Sequence, residues 1–126
     1  VPGMIARGSG KIINIGSVAG EVARPTTGAY AAAKGGLRAL TRTMCVEWAH
    51  HGIQANALAP GYVRTALTEP LQGDAAFTAW LEQRVPAQRW AEPDELGGAI
   101  VFLASSASNF VNGHVLVVDG GLTASL

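Results

Sequence analysis

The chain has 126 residues, enough for one domain or part of one. Nine Lys and Arg balance nine Asp and Glu, and no basic stripe runs along the sequence, which argues against a nucleic-acid partner. Only 14% of the residues are charged and 48% are hydrophobic, against about 25% charged in an ordinary soluble domain, so much of this chain must be buried by its own core or by partners.

The opening VPGMIARGSG begins on Val1 rather than Met, which fits a trimmed N-terminus, and lacks the apolar core of a signal peptide. KIINI, residues 11–15, is a short isoleucine-rich run that reads as a strand buried on both faces, as parallel sheets require. SVAGEVARPTTG follows as a loop. From about Gly28 to His50 the pattern is helical, with Leu37, Leu40, Met44 and Trp48 recurring at spacings of three and four and Gly52 as a C-cap. IQANALAP, residues 53–60, reads as a second buried strand stopped by Pro60-Gly61. Thr68, Pro70, Gly73 and Asp74 interrupt the next stretch; a helix from about Ala75 to Arg84 carries Phe77, Trp80, Leu81 and Val85 near one face. Pro93 opens the helix PDELGGAIVFLAS, with Asp94 and Glu95 at the positive end of its dipole. HVLVVDGG, residues 114–121, is a third strand ending in a turn. Alternating strands and helices imply an α/β domain built on a parallel sheet. No run of about 20 apolar residues exists, so no transmembrane helix and no membrane partner is expected. The single cysteine, Cys45, reads as a small packed hydrophobe, and a reducing, cytoplasmic setting fits it.

In GAYAAAKGG, residues 28–36, Tyr30 and Lys34 stand one helical turn apart on an otherwise bare surface of Ala and Gly. A phenol is a poor base at neutral pH, and a neighbouring ammonium favours the phenolate; one lysine in a wet site does little, whereas a lysine plus a second cation in a closed pocket would let a tyrosine exchange a proton with an alcohol or carbonyl. The pair by itself also suits an ordinary helix surface. Ser17 ends the first strand, and ligands of open α/β sheets bind outside the carboxyl ends of the strands; the plain reading of Ser17 is a loop cap. APGYVRT lies on the same edge, where Pro60-Gly61 permits close backbone approach and Thr65 offers either a ligand hydroxyl or a helix N-cap. Trp80 and Trp90 suit a substrate pocket or, more commonly, a core or interface. Arg84 and Arg89 suit a substrate carboxylate or structural pairing. Asp94 and Glu95 read as helix-start charges. His50-His51 ends a helix and has no Cys, His or acidic company, so no metal is expected.

Taken in order, GKIINIGSVAG, YAAAK, NALAPGYVRT, RWAEPDELGGAIVFLAS and VNGHVLVVDGG resemble the C-terminal half of a short-chain dehydrogenase/reductase. The finer pattern in PGYVRTALTEPL and FTAWLEQRVPAQRW is similar to the gluconate 5-dehydrogenase branch, which works on sugar acids. The resemblance implies a Rossmann-like parallel sheet of which this chain supplies strands 5, 6 and 7, an NAD or NADP cofactor and a small alcohol or ketone substrate. It makes Tyr30 the general acid/base. Lys34 would support the phenolate and bind the nicotinamide ribose, the oxidised nicotinamide would be the second cation, and Ser17 would hold the substrate oxygen. Tyr30 and Lys34 would thus also touch the cofactor, with backbone from Pro60, Gly61 and Val63 and the Thr65 hydroxyl around its carboxamide and phosphate. Hydride transfer itself belongs to the cofactor.

The glycine-rich loop that opens the family fold and binds pyrophosphate does not occur in this sequence, nor does the residue that separates NAD from NADP. Two readings follow: the C-terminal part of an NAD(P)-dependent dehydrogenase, inactive alone, or a non-enzymatic half-fold that persists as an oligomerising domain. Either way the edge of KIINI is expected to be bare. The small-residue face of the Gly28–His50 helix is expected to pair in a homodimer or homotetramer, as the family does.

Overall fold

In the computed structural model, which describes residues 1–125, the elements run α1 (Pro2–Arg7), β1 (Gly10–Ile15), α2 (Gly28–Trp48), β2 (Ile53–Pro60), α3 (Glu69–Gln72), α4 (Ala75–Arg84), α5 (Gly97–Ala104) and β3 (Val115–Val118), joined in places by short 3-10 turns. The three strands form one parallel sheet in the order β1-β2-β3, the Rossmann-like α/β arrangement expected. Register runs from Gly10 opposite Ile53 to Ile15 opposite Leu58, and from Ala57 opposite Val115 to Pro60 opposite Val118.

The central strand is the most thoroughly covered element. Ile53, Ala55, Ala57, Leu58 and Ala59 of β2 have no exposed surface, because strands flank both its edges and α2 and α5 pack on it. Side chains of both parities along β2 are therefore apolar, apart from the half-buried Gln54 near its start and Asn56, which is buried and fully used. Its Nδ2 donates to Val111 O at 2.8 Å and its Oδ1 accepts the His114 N–H at 3.0 Å. Asn112 mirrors it: Oδ1 accepts the Ala55 N–H at 2.8 Å and Nδ2 donates to Ile53 O at 3.0 Å. These two asparagines clamp the turn before β3 onto β2 and fix where β3 starts. A buried amide that made none of these bonds would cost about 1–3 kcal/mol.

β1 departs from the expectation that it is buried on both faces. All its residues keep some exposure, and Ile15 is 52% exposed, because β1 pairs along one edge only and a parallel strand needs neighbours on both sides to be sealed. Asn14 ties it to α2 by donating from Nδ2 to Thr41 Oγ1 at 2.9 Å; Thr41, fully buried, donates in turn to Leu37 O at 2.8 Å. The inward stripe of α2 therefore runs through Leu37, Thr41, Met44 and Trp48, four and three apart, and Leu40 falls beside it, 46% exposed. Residues 2–7 form a short helix that the sequence marks only by Pro2 in its first turn. The helix expected from Pro93 is a 3-10 turn to Leu96 and α-helical only from Gly97 to Ala104. The third strand is shorter than residues 114–121, since Asp119 turns the chain immediately after Val118.

The accessible surface is 7254 Å², whereas a closed monomer of this mass has about 6,300 Å². The surplus is matched by open apolar side chains, among them Val46 at 81%, Val101 at 66% and Phe110 at 103% exposed.

Gly61 is required by packing. A Cβ there would stand 2.8 Å from Asp119 Cα, in the backbone that leaves β3. At Gly97, the first residue of α5, nothing lies within 4 Å. Gly61→Ala is expected to destabilise the protein by about 1–3 kcal/mol through overpacking, and Gly97→Ala to be neutral or stabilising by up to about 1 kcal/mol, as read from urea-denaturation midpoints.

Candidate active site

The carboxyl ends of β1 and β2 open into one cleft of about 420 Å³, within the range of small-molecule sites. Ser17 lies two residues beyond β1 and lines it. Ser17 Oγ accepts the Ala19 N–H at 3.1 Å and so opens the 3-10 turn Val18–Gly20. Because that bond uses a lone pair, the hydroxyl hydrogen is left to donate outward. The turn lies tight against α2: a Cβ on Gly20 would come within 3.0 Å of the Lys34 carbonyl. Close approach at Gly20 is what brings the serine loop alongside the first turns of α2.

Tyr30 also lines the cleft, 45% exposed. Lys34, one turn on, sits beside it with Nζ 5.7 Å from the centre of the Tyr30 ring. Lys34 Nζ donates to Ile15 O at 2.8 Å, at the last residue of β1. An ammonium has three N–H donors, so this bond aims the lysine at the strand end and leaves the other two for a ligand. Gly61 also lines the cleft. Pro60, Val63 and Thr65 are not part of it. Pro60 closes β2; Val63 is buried, bridges to Ala91 and accepts from Thr68 Oγ1 at 2.7 Å. The Thr65 N–H donates to Thr68 Oγ1 at 3.0 Å, and Thr65 caps the turn 66–68, the structural role the sequence left open for it.

Two residues that the sequence offered for a substrate pocket, Trp80 and Arg84, line the opposite wall. Tyr62 packs edge-on against Phe77, Trp80 and Trp90 at centroid distances of 5.4, 5.9 and 5.7 Å. The two tryptophans divide the roles open to them: Trp90 is core, 3% exposed, and Trp80 lines the cleft. Trp90 Nε1 is buried without a hydrogen-bond partner. Arg24 reaches the cleft from the loop before α2, its guanidinium 5.2 Å from the centre of the Phe77 ring. Residues 122, 123 and 125 complete the rim; they come from the far end of the sequence, and no local pattern marks them. Arg89 is structural, forming a two-pronged ion pair with Glu95 at 2.8 and 2.7 Å. Glu95 also accepts the Glu92 N–H at 2.8 Å, so it does more than charge a helix start. The Arg89 bond, then the Glu92 N–H, hold the Glu95 carboxyl down at about 2. His50 and His51 stack on each other at the end of α2. Among the described residues no group of three His, Cys, Asp or Glu could hold a metal, and no helix is long and apolar enough to cross a membrane.

Serine and tyrosine meet in one cleft at the strand ends of a parallel sheet, with the lysine a turn away. Residues 1–123 match the family described as Enoyl-(Acyl carrier protein) reductase. The chain belongs to the short-chain dehydrogenase/reductase family. It is 55% identical over 123 residues to the 5-keto-D-gluconate 5-reductase of Escherichia coli K12 and 56% identical to the gluconate 5-dehydrogenase of Gluconobacter oxydans, covering 98% of this chain and 48% of each relative. A crystal structure of a gluconate 5-dehydrogenase from Burkholderia cenocepacia, in complex with NADP and tartrate, superposes with a TM-score of 0.98 at 61% identity, covering 99% of this chain and 49% of that one. The chain thus spans about half the length of the relatives it matches.

Asp119 holds the rim in place. Its carboxylate accepts the Thr123 N–H and Oγ1, both at 2.8 Å, and the Gly121 N–H at 2.9 Å. Burial pushes its carboxyl up, but the donors from Thr123 and Gly121 outweigh burial and hold it below the ordinary value. A carboxyl with a lowered folded-state value stabilises the fold fully above its unfolded value of about 3.9 and loses that contribution as pH falls through the folded one. Asp119→Ala is expected to cost about 1–3 kcal/mol at neutral pH. The gap from the parent protein should close as acid approaches the Asp119 titration, measured by chemical denaturation across pH.

Proposed function

We propose that these residues form the C-terminal half of an NAD(P)-dependent dehydrogenase that interconverts an alcohol and a ketone on a sugar acid or similar small polyol. The observation that carries this reading is the meeting of Ser17 and Tyr30 in one cleft with Lys34 a turn away, at the carboxyl end of a parallel sheet. The names of the similar proteins support the substrate class, since gluconate and keto-gluconate enzymes stand among them. Several similar structures were solved with NADP, and the cofactor is a nicotinamide dinucleotide, NAD or NADP.

The residues present fit the nicotinamide end of such a cofactor: the spare Lys34 donors suit ribose hydroxyls, and Gly61 keeps the floor of the cleft free of a side chain. The pyrophosphate-binding glycine loop of the family lies outside these 126 residues. When bound, the nicotinamide accepts or supplies the hydride. In the oxidising direction the Tyr30 oxygen takes the substrate hydroxyl proton; in the reducing direction it returns a proton to the carbonyl oxygen. Ser17 donates its free hydroxyl hydrogen to that same oxygen and fixes its position. Lys34, anchored on Ile15 O, holds its ammonium beside the Tyr30 ring. The 126-residue chain alone is expected to show no turnover.

In the full-length protein that carries these residues, Tyr30→Phe keeps the ring and removes the proton donor. Turnover should fall by at least about 10²-fold in a spectrophotometric assay of nicotinamide reduction with gluconate; near-normal turnover would remove Tyr30 from the mechanism.

The exposed face of α2 carries Ala29, Ala32, Ala33, Gly36, Ala39 and Leu40, with Val46 further along. This face pairs with its two-fold mate in a homodimer or homotetramer, burying at least about 2,000 Å² in total. Light scattering at micromolar concentration should give a mass well above the 13.0 kDa of the single chain; a clean monomer would defeat the pairing.

A further inference from the structure

The charge in the cleft is one-sided. Its described lining contains Arg24 and Arg84 and not one Asp or Glu, although the whole chain is balanced at nine basic and nine acidic residues. The ion pairs formed among the described residues, Arg38–Glu21, Arg64–Glu92 and Arg89–Glu95, all leave Arg24 out. Arg24 is partly buried, and its guanidinium lies over Phe77, which packs on the core cluster of Leu81, Val85 and Trp90. An aromatic platform holds a guanidinium by its face and leaves the N–H edge to a planar anion. The backbone under it is also fixed: Thr27 Oγ1 donates to the Arg24 carbonyl at 2.8 Å. Between them Thr26, a β-branched residue, is held at φ 70°, a conformation such residues rarely adopt. The lining also carries the hydroxyls of Thr27 and Thr123, whose hydrogens go to Arg24 O and Asp119 Oδ2 and whose oxygens can still accept from a polyhydroxy chain. The cleft therefore offers an oxygen-binding end at Ser17 and Tyr30, a wall with hydroxyl oxygens, and a pre-positioned cation that no carboxylate pairs with among the described residues.

We propose that Arg24 binds the carboxylate of the substrate and is the residue that makes a sugar acid, rather than a neutral sugar alcohol, the preferred ligand. The inference rests on the dehydrogenase reading above and adds to it a specificity residue that takes no part in the proton transfer. Arg24 forms a charge-assisted pair with the carboxylate, while the carbinol oxygen lies at Ser17 and Tyr30.

The test uses the full-length protein with D-gluconate and with D-gluconamide, its neutral counterpart. Arg24→Met is expected to raise KM for gluconate by about 10- to 100-fold, the range for a lost hydrogen bond to a charged group, with kcat little changed and with kcat/KM for gluconamide within about two-fold of the parent. Arg24→Lys should fall between, since it keeps the charge and loses the planar fork; it also serves if the methionine variant folds poorly. Calorimetric titration with tartrate should show weaker binding to both variants without any turnover being needed. Equal losses for gluconate and gluconamide, or no loss for either, would overturn the role of Arg24 while leaving the dehydrogenase reading intact. A full-length parent that oxidises no alcohol with NAD or NADP would overturn both.

Discussion

The sealing of β2 is the constraint on which the rest of this structure depends. A strand covered by neighbours on both edges and by helices on it has no water to satisfy a stray polar group. Its sequence must be apolar at every position or must bond every polar atom. β2 does the first with Ile53, the alanines and Leu58, and the second with Asn56. The small side chains are as important as the apolar ones, since alanine lets the helices approach closely. From this one element the positions of the others follow. Asn56 and Asn112 set the start of β3, register with β1 sets the end of the first strand, and the two strand ends then open on the same side.

The cleft is built by three local devices that share little in sequence. A serine caps its own turn, a glycine lets that turn lie on a helix, and a lysine reaches back to the strand end. The serine and the lysine each pair a backbone group, the Ala19 N–H and the Ile15 carbonyl. The same bonds that close the structure also set the chemistry: the cap leaves Ser17 its hydrogen, and the anchor on Ile15 O orients the Lys34 charge. The far wall is different in kind. It is a packed aromatic cluster, with Trp90 inside and Trp80 at the surface, and it offers shape and a platform rather than reacting groups.

Faces that lie open are as informative as the core. β1 pairs on one side only, α2 turns a face of small residues outward, and α5 leaves Val101 two-thirds exposed. A balanced net charge and low charge density offer little repulsion against association. The physical chemistry is that of a slab with surface still to bury, in keeping with relatives about twice its length.

The sequence by itself determined the elements whose signals are local. The alternation of apolar runs with helical periods specified the parallel α/β class, IQANALAP and the Ala75–Arg84 helix appear with the limits read from their residues, and Tyr30 and Lys34 share a helix face because four residues make one turn. Order and spacing also marked Ser17. What only the tertiary structure decided concerns contacts between residues far apart in the chain. Leu40 looked like core and is not, since the inward stripe of α2 is set by Thr41 and its bond to Asn14. Gly61 lines the cleft, and the need for glycine there also comes from Asp119, which lies nearly sixty residues on. Arg24 stood unremarked in a loop because only folding lays it over Phe77, in a cleft whose described lining holds no Asp or Glu. Period and propensity are properties of neighbours in sequence, whereas the sign of a cleft is the sum of side chains that folding alone brings together.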